Sequence, residues 1–476
     1  MIRRALLIGA LCALGAASAH AGLDPATRQL AHDIFRQLIE INTTDSVGNV
    51  TAASEAMAQR FRDAGFPEND IHVLGPTERT KNFVVRLRGT GKKRPILLIG
   101  HLDVVEAPAA DWSTDPFKLV EKDGYFYGRG TVDMKDGDTV YVTTLIRFKK
   151  EGYRPPRDII LALTAGEETG ANNGLDWLLK NHRELIDAEF ALNHDDVGIY
   201  TDNGKPLVFK IVASEKVYAD FDLAVANPGG HSSLPVPDNA IYQLAEGLQR
   251  LAKYEFPFEL NSVTREYFVR SQTMEGAENA ADIQGILATP PDPGAIARLS
   301  ADPMKHALTH TTCVATRLEG GHANNALPAM ARATVNCRIL PGHSAEEVRK
   351  NLIDALANPK IAVRYIAPSG ELLETAESKH GMVPPPMRAD VLRAAEKVAR
   401  SFWPGAPVMP VMAAGASDAI YANVAGIPAY LVSGQSVERD DERYHARDER
   451  NAVESFYREV DFGYRFLKVL LESGRR

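Results

Sequence analysis

Five short clusters of histidine and acidic residues carry the chemistry of this sequence. They are His101-Leu102-Asp103, the turn Gly128-Arg129-Gly130-Thr131-Val132-Asp133-Met134-Lys135, Gly166-Glu167-Glu168-Thr169-Gly170, Asn193-His194-Asp195-Asp196, and His445 within Tyr444-His445-Ala446-Arg447-Asp448-Glu449. Imidazole nitrogen and carboxylate oxygen are donors that zinc takes, and catalytic zinc sites keep one position open for water. Two such ions ~3.5–4 Å apart can polarise a carbonyl and activate a shared water. A pair of this kind needs about one histidine and one carboxylate per ion, a bridging carboxylate and a further carboxylate as base. The five clusters supply that inventory without surplus. Glu167 and Glu168 would repel each other in a cleft unless a cation bound one and left the other free as a general base. Residues two apart in extended backbone face the same way, so Asp103 can hold the His101 imidazole and fix which nitrogen faces a metal. The glycine turn lacks Walker spacing, which excludes a phosphate loop. Each cluster alone reads as readily as a solvated turn; their combination does not.

The elements that must position these clusters alternate. Helical pattern covers Pro25 to Ile41, Ala52 to Ala64 and Asp138–Glu151, and apolar strand-like runs cover Asn82–Leu87, Pro95–Gly100 and Asp158–Thr164. This predicts an α/β fold whose mixed sheet is flanked by helices, with functional groups gathered at the carboxyl ends of strands. Near Val212 the pattern changes. Strand-like Val217–Ala226, Thr311–Leu318, Ala331–Leu340 and Lys360–Ile366, with helical Asn239–Tyr254 and Ser344–Leu356, suit a small antiparallel sheet with two helices. Residues Met274–Met304 have no clear period, and Thr289–Gly294 reads as a loop. Helix and strand pattern then resumes from Arg388 to Glu472 after the proline-rich run Gly381 to Met387. The expected organisation is a discontinuous catalytic domain, 22–213 and 369–476, interrupted by an α+β lid domain, 214–368.

Residues 1–21 read as a signal peptide: Arg3 and Arg4, an apolar stretch Ala5 to Ala17, and Ala19-His20-Ala21 before Gly22. The stretch is too short for a bilayer-spanning helix, which needs about 20 residues, and no later segment is apolar and long enough. The expectation is a soluble exported protein, periplasmic or secreted, with no membrane span after cleavage. The 476 residues are 45% hydrophobic and 24% charged, an ordinary globular balance that argues against disorder. Net charge is -8 and no basic run could follow a phosphate backbone, so nucleic acid is not expected as a partner. Only Cys313 and Cys337 follow the signal segment; export would permit a disulfide, but unpaired buried thiols are the favoured reading.

The run and order of the clusters resemble the metallopeptidase family of carboxypeptidase G, succinyl-diaminopimelate desuccinylase, aminoacylase and the vacuolar Gly-X carboxypeptidase of yeast. The resemblance is densest from Gly100-His101-Leu102-Asp103 through Trp112, Pro116-Phe117 and Gly128-Arg129-Gly130 to Asp133-Met134-Lys135. It continues at Gly166–Gly170, Gly229-Gly230-His231-Ser232-Ser233, Asn325-Ala326-Leu327-Pro328, Ser417-Asp418 and His445–Glu449. It implies two Zn2+ per subunit, replaceable by Co2+ or Mn2+. Asp133 would bridge them, followed by a cis peptide to Met134. His101 and Asp195 would complete one metal, and Glu168 and His445 the other. Glu167 would be the general base and Asp103 the group that orients His101. Many relatives carry a glutamate where this chain has His194, so Asp195 is chosen over His194 and Asp196. Three ligand carboxylates against two divalent ions leave positive charge, which favours an anionic substrate.

The resemblance further implies that His231 binds the oxyanion, in many relatives across a dimer interface. Asn325, Arg338, Gly415 and Ser417 would bind the substrate. The expected activity is hydrolysis of an amide or peptide bond beside a free C-terminal carboxylate, as in a carboxypeptidase or dipeptidase. Alternatives are an N-acyl-amino-acid deacylase, a two-metal aminopeptidase and a non-catalytic peptide-binding protein on the same scaffold. The implied partners are a small peptide or N-acyl amino acid and, through the lid, a second copy of the chain.

Overall fold

The computed structural model describes residues 22–170, 172–376 and 384–472. Residues 1–21, where a signal peptide is expected, and residues 381–383 of the proline-rich run lie outside them. No described helix is long and apolar enough to cross a membrane.

A ten-stranded mixed sheet forms the body. At its centre Ile159–Thr164, Ile96–His101 and Phe190–Asn193 lie side by side and parallel, with His101 opposite Thr164 and Ile99 opposite Asn193. Apart from Phe190, Gly100 and the last residue of each, these strands are built of Ile, Leu and Ala and buried on both faces, the composition a helix-covered parallel sheet requires. Late strands complete it: Ala429–Leu431 inserts between Phe190–Asn193 and Lys205–Glu215, and Val408–Ala413 pairs parallel with the latter. The helices Pro25–Glu40, Lys135–Lys150 and Val453–Glu472 pack together on one face. Phe35, Phe126 and Phe456 join two of them to a small three-stranded sheet.

The second sheet is antiparallel, in the order Thr312–Gly320, Met330–Ile339, Val217–Ala226, Ile361–Ile366 and Leu372–Leu373. Val217, Ala219, Phe221, Leu223 and Val225 bury one face with the helices Ala240–Leu251 and Ala345–Leu356. The intervening Tyr218, Asp220 and Asp222 form a polar face, the period-two pattern of a half-buried strand. This is the α+β lid anticipated from sequence, with two differences. The segment without a clear period, Met274–Met304, lies within a run of four short helices from Ser262 to Thr309, and Val263, Phe268, Ile283, Ile286, Leu299 and Leu308 of that run pack into the core of the body. Their apolar positions are divided among short helices, which hides the period. Cys313 and Cys337, expected as free thiols, form a disulfide. They face each other in register across the antiparallel pair, a neighbour relation that spacing along the chain does not reveal.

Candidate metal centre

Parallel register delivers the first ligands. His101 is the last residue of its strand, Glu167 and Glu168 follow the end of the next, and Asp195 follows the third. The strands are adjacent and run the same way, so these side chains meet at one sheet end. Gly100 makes room beneath them: a Cβ there would stand 2.2 Å from Asp138 Oδ1.

Asp133 comes from the turn before Lys135–Lys150, where the Asp133–Met134 peptide is cis. The pairing of Arg450–Ala452 with Tyr125–Tyr127 brings the His445 loop beside this turn. A buried ion pair, Arg129 Nη1 to Glu449 Oε2 at 2.5 Å, clips the two together. Glu449 Oε1 also accepts from the Val132 N–H at 2.9 Å. Lys135 anchors the other side of the turn, its buried ammonium donating to Leu38 O at 2.9 Å and Ile41 O at 3.0 Å. Those carbonyls lie at the end of a helix, where backbone acceptors run short of partners; Leu38 O also takes the Ile41 N–H at 3.3 Å. Burial lowers the Lys135 amine to about 7.

His101 Nε2 lies 3.2 Å from Asp133 Oδ1 and 3.7 Å from Asp195 Oδ1. His445 Nε2 lies 2.9 Å from Asp133 Oδ2 and 3.1 Å from Glu168 Oε2. Two potential ligand groups result, His101–Asp133–Asp195 and Asp133–Glu168–His445, each with its donor atoms within 4.8 Å of one another and sharing Asp133. His101 Nε2 and Glu168 Oε1 are buried without an aligned hydrogen-bond partner. Orphaned polar atoms of this kind are costly unless something else satisfies them. Two imidazoles and three carboxylates around a shared Asp suit divalent cations of the zinc class. The residues fit the pair of ions that the sequence implied. Without metal, burial opposes a charge on His101, but the close carboxylates of Asp133 and Asp195 outweigh it and raise the ring well above its ordinary value. The cluster therefore calls for positive charge.

The choice among residues 194–196 resolves geometrically. His194 turns away and meets Glu459 Oε1 at 2.6 Å, while Asp196 pairs with Lys210 at 3.1 Å. Burial drops the His194 ring to about 3. Only Asp195 joins the cluster. Asp103 acts differently from expectation: its backbone carbonyl, not its carboxylate, meets His101 Nδ1 at 3.0 Å, and the nearer carboxylate oxygen stands 3.9 Å away. That carboxylate accepts from the N–H groups of Glu167 and Glu168 at 3.3 and 3.0 Å, fixing the two residues together. Glu167 belongs to no ligand group; burial first, with the charges of Asp195 and Asp418, pushes its carboxyl well up. This suits a group that must take and return a proton.

A cavity of about 660 Å³ opens between body and lid, lined by Glu167, Glu168, His445, Ser417, Tyr218 and Arg338 among others. Arg338 stacks on Tyr218, its guanidinium carbon 4.7 Å from the ring centre, and among the described residues it has no carboxylate partner. The Tyr218 hydroxyl donates to Asp220 Oδ2 at 2.5 Å, and Asn336 donates to Asp220 Oδ1 at 2.8 Å. Sequence reasoning missed Tyr218 and Asp220; the alternation over 217–226 had already put them on the face opposite the lid helices. Ser417 lines the cavity with its hydroxyl accepting from Asn193 at 3.2 Å, whereas the exposed Gly415 is not part of the wall. His231 and Asn325 lie elsewhere, together on an exposed two-stranded ribbon of the lid. The Ser233 N–H donates to His231 Nδ1 at 3.2 Å, leaving Nε2 to carry the proton of the neutral ring.

The model of Peptidase family M20/M25/M40 matches residues 97–469. Human N-fatty-acyl-amino acid synthase/hydrolase PM20D1 is 29% identical over 318 residues, which cover 62% of this chain and 62% of the human protein. A probable carboxypeptidase S-like 2 of Dictyostelium discoideum is 28% identical over 79% of this chain and 71% of its own length. Among solved structures, the M20 family metallo-carboxypeptidase Sso-CP2 of Sulfolobus solfataricus aligns with a TM-score of 0.69 at 18% identity, covering 94% of this chain and all of that one. The expected family and fold are both borne out, and with them a metal-dependent hydrolase in place of a non-catalytic binding protein. The chain belongs to peptidase family M20/M25/M40.

Proposed function

We propose that the chain is an exported hydrolase that uses two zinc ions to cleave an amide or peptide bond next to a free C-terminal carboxylate, as a carboxypeptidase or dipeptidase does. The observation that carries this reading is Arg338. Its guanidinium, free of a carboxylate partner among the described residues, lines the same cavity as Glu167, Glu168 and His445. A guanidinium in such a place recognises a carboxylate in a planar, charge-assisted manner. Ser417 adds a hydroxyl on the same wall.

His101, Asp133 and Asp195 would hold one ion, and Asp133, Glu168 and His445 the other. Ions held there would polarise the scissile carbonyl and acidify the attacking water. Glu167 takes the proton of that water and passes it to the departing amine, a cycle that its raised proton affinity supports. Asp103 keeps Glu167 and Glu168 in register throughout. His231 offers Nε2–H as an oxyanion donor. Its exposed position beside Asn325, away from its own chain's cavity, supports donation to the site of a second copy and thus a homodimer through the lid.

An N-acyl-amino-acid deacylase is the second reading, favoured by the activity for which the human relative is named. It uses the same carboxylate recognition and differs only in the acyl half. The test is a panel of dipeptides, N-acyl amino acids and their C-terminal amides, run with the zinc-loaded chain and with E167Q. Hydrolysis abolished by C-terminal amidation, and lost by several powers of ten in E167Q at unchanged zinc content, is the expected result. Equal cleavage of amides, or retained turnover in E167Q, would refute it.

A further inference from the structure

Of the five candidate ligands, His445 has the least support from regular structure. It lies in a loop rather than at a strand end, its side chain is 54% exposed, and its backbone is left-handed at φ 57. A residue other than glycine keeps that conformation only where its surroundings enforce it. Arg129 Nη2 reaches the His445 carbonyl only at 3.4 Å. The other hold is on the residue before it: the half-buried Tyr444 donates its hydroxyl to Gln435 Oε1.

Gln435 is itself firmly placed. It is 3% exposed and precedes the strand Ser436–Glu438. Its carbonyl accepts from the N–H groups of Gly198 and Ile199 at 3.1 and 3.0 Å, and its own N–H donates to Ser433 Oγ at 2.9 Å. The side-chain Nε2 donates to Val132 O at 2.9 Å and to Asp136 Oδ2 at 2.7 Å. A carbonyl and a carboxylate oxygen on that side fix which way the amide faces, and leave Oε1 for the Tyr444 hydroxyl. Val132 immediately precedes Asp133, and Tyr444 immediately precedes His445. One carboxamide thus ties together the chain segments of two ligands that meet at 2.9 Å.

The two ends of this tie are unequally dependent on it. On the Asp133 side, Asn451 also donates to Thr131 O at 3.1 Å, Glu449 accepts the Val132 N–H, and Lys135 anchors the end of the turn. His101 ends its strand and Asp195 follows another, so neither needs the tie. The His445 side rests on Tyr444 and the long Arg129 contact. We propose that Gln435 is a positioning residue for one of the two ions: it holds His445 against the bridging Asp133, and so governs the affinity of the Asp133–Glu168–His445 group while leaving His101–Asp133–Asp195 intact. This rests on the two-ion reading above and deepens it by naming what makes one half of the centre competent.

The test follows zinc binding to the full chain by competition with a chromogenic chelator, and Co2+ binding by visible absorption as each equivalent is added. H445A marks which binding step belongs to the Asp133–Glu168–His445 group. Q435M removes both halves of the tie at similar side-chain length, and Y444F removes only the hydroxyl that meets it. Each should weaken the marked step about 10–100-fold and leave the other within about threefold, a selectivity that a general loosening of the fold would not give. The double variant should bind no more weakly than Q435M, because the hydroxyl has lost its acceptor once the amide is gone. An unchanged marked step in Y444F, equal weakening of both steps, or additive losses in the double variant would each overturn the proposal. Should Q435M fail to fold, Y444F alone decides. An unsubstituted chain that binds a single ion refutes the two-ion reading itself, and this proposal with it.

Discussion

Replacing Arg129 by Met should uncouple the two loops that supply Asp133 and His445. Arg129 and Glu449 are 3% and 0% exposed and meet at 2.5 Å, and Glu449 also receives the Val132 N–H. Removing the guanidinium strands a carboxylate in the interior, a change that costs about 3–5 kcal/mol, while an apolar pair of similar volume is often neutral. R129M should therefore lose about 3 kcal/mol or more in urea unfolding. R129M/E449L should recover much of the loss, with a coupling of about 2 kcal/mol in the double-mutant cycle. A pH signature separates this from lost packing. Burial raises Glu449 to about 7 even beside Arg129, and without the guanidinium it rises further. An acid raised in the folded state binds a proton there before the unfolded chain does, so stability increases as pH falls between the folded and unfolded pKa values. The R129M deficit should accordingly shrink from pH 8 to pH 5.5. Zinc affinity, read by competition with a chromogenic chelator, should fall about 10–100-fold, the range for groups that support ligands. A loss under 1 kcal/mol, additivity in the cycle, or a deficit that grows on acidification would refute the reasoning.

D103A should leave the Glu167 and Glu168 N–H groups buried and unpaired, at about 1–3 kcal/mol each; urea titration should show the loss and kinetics a lower kcat, and unchanged values would refute it. Reducing Cys313–Cys337, which closes a 24-residue separation, should destabilise the lid by up to about 3 kcal/mol on the chain-entropy model. Urea unfolding of C313S/C337S measures it, and an unshifted transition would count against it. Chelation should lower stability in urea as well, since free zinc at 100 times its Kd contributes about 2.7 kcal/mol; equal midpoints with and without chelator would mean that the ligand cluster holds no ion.

Three clusters were legible as strand ends, because His101, Glu167–Glu168 and Asp195 each follow an apolar strand and the three strands run parallel; Asp133 lies in a turn and His445 in a loop, and only the family resemblance placed them in the same set. Geometry was needed where the question became which way a side chain turns. Asn193-His194-Asp195-Asp196 offers three candidate ligands in a row, and Glu459, far along the chain, decides that His194 faces inward elsewhere. Asp103 likewise has a carboxylate and a carbonyl within reach of His101, and only the backbone path selects the carbonyl. The lid sheet followed from period-two alternation, whereas the four helices between Ser262 and Thr309 are short, three of them capped by Asn261, Asp292 and Asp302, and carry too few buried positions to show a period.

The insertion of Ala429–Leu431 between Phe190–Asn193 and Lys205–Glu215 has a consequence for biogenesis. Until about nine-tenths of the polypeptide has been synthesised, an unfilled slot persists in the middle of the body, flanked by strands whose N–H and C=O groups await a neighbour. Prematurely terminated fragments should be sticky and inert, prone to capture one another through that slot, and proteolytic clearance rather than residual activity should be their fate.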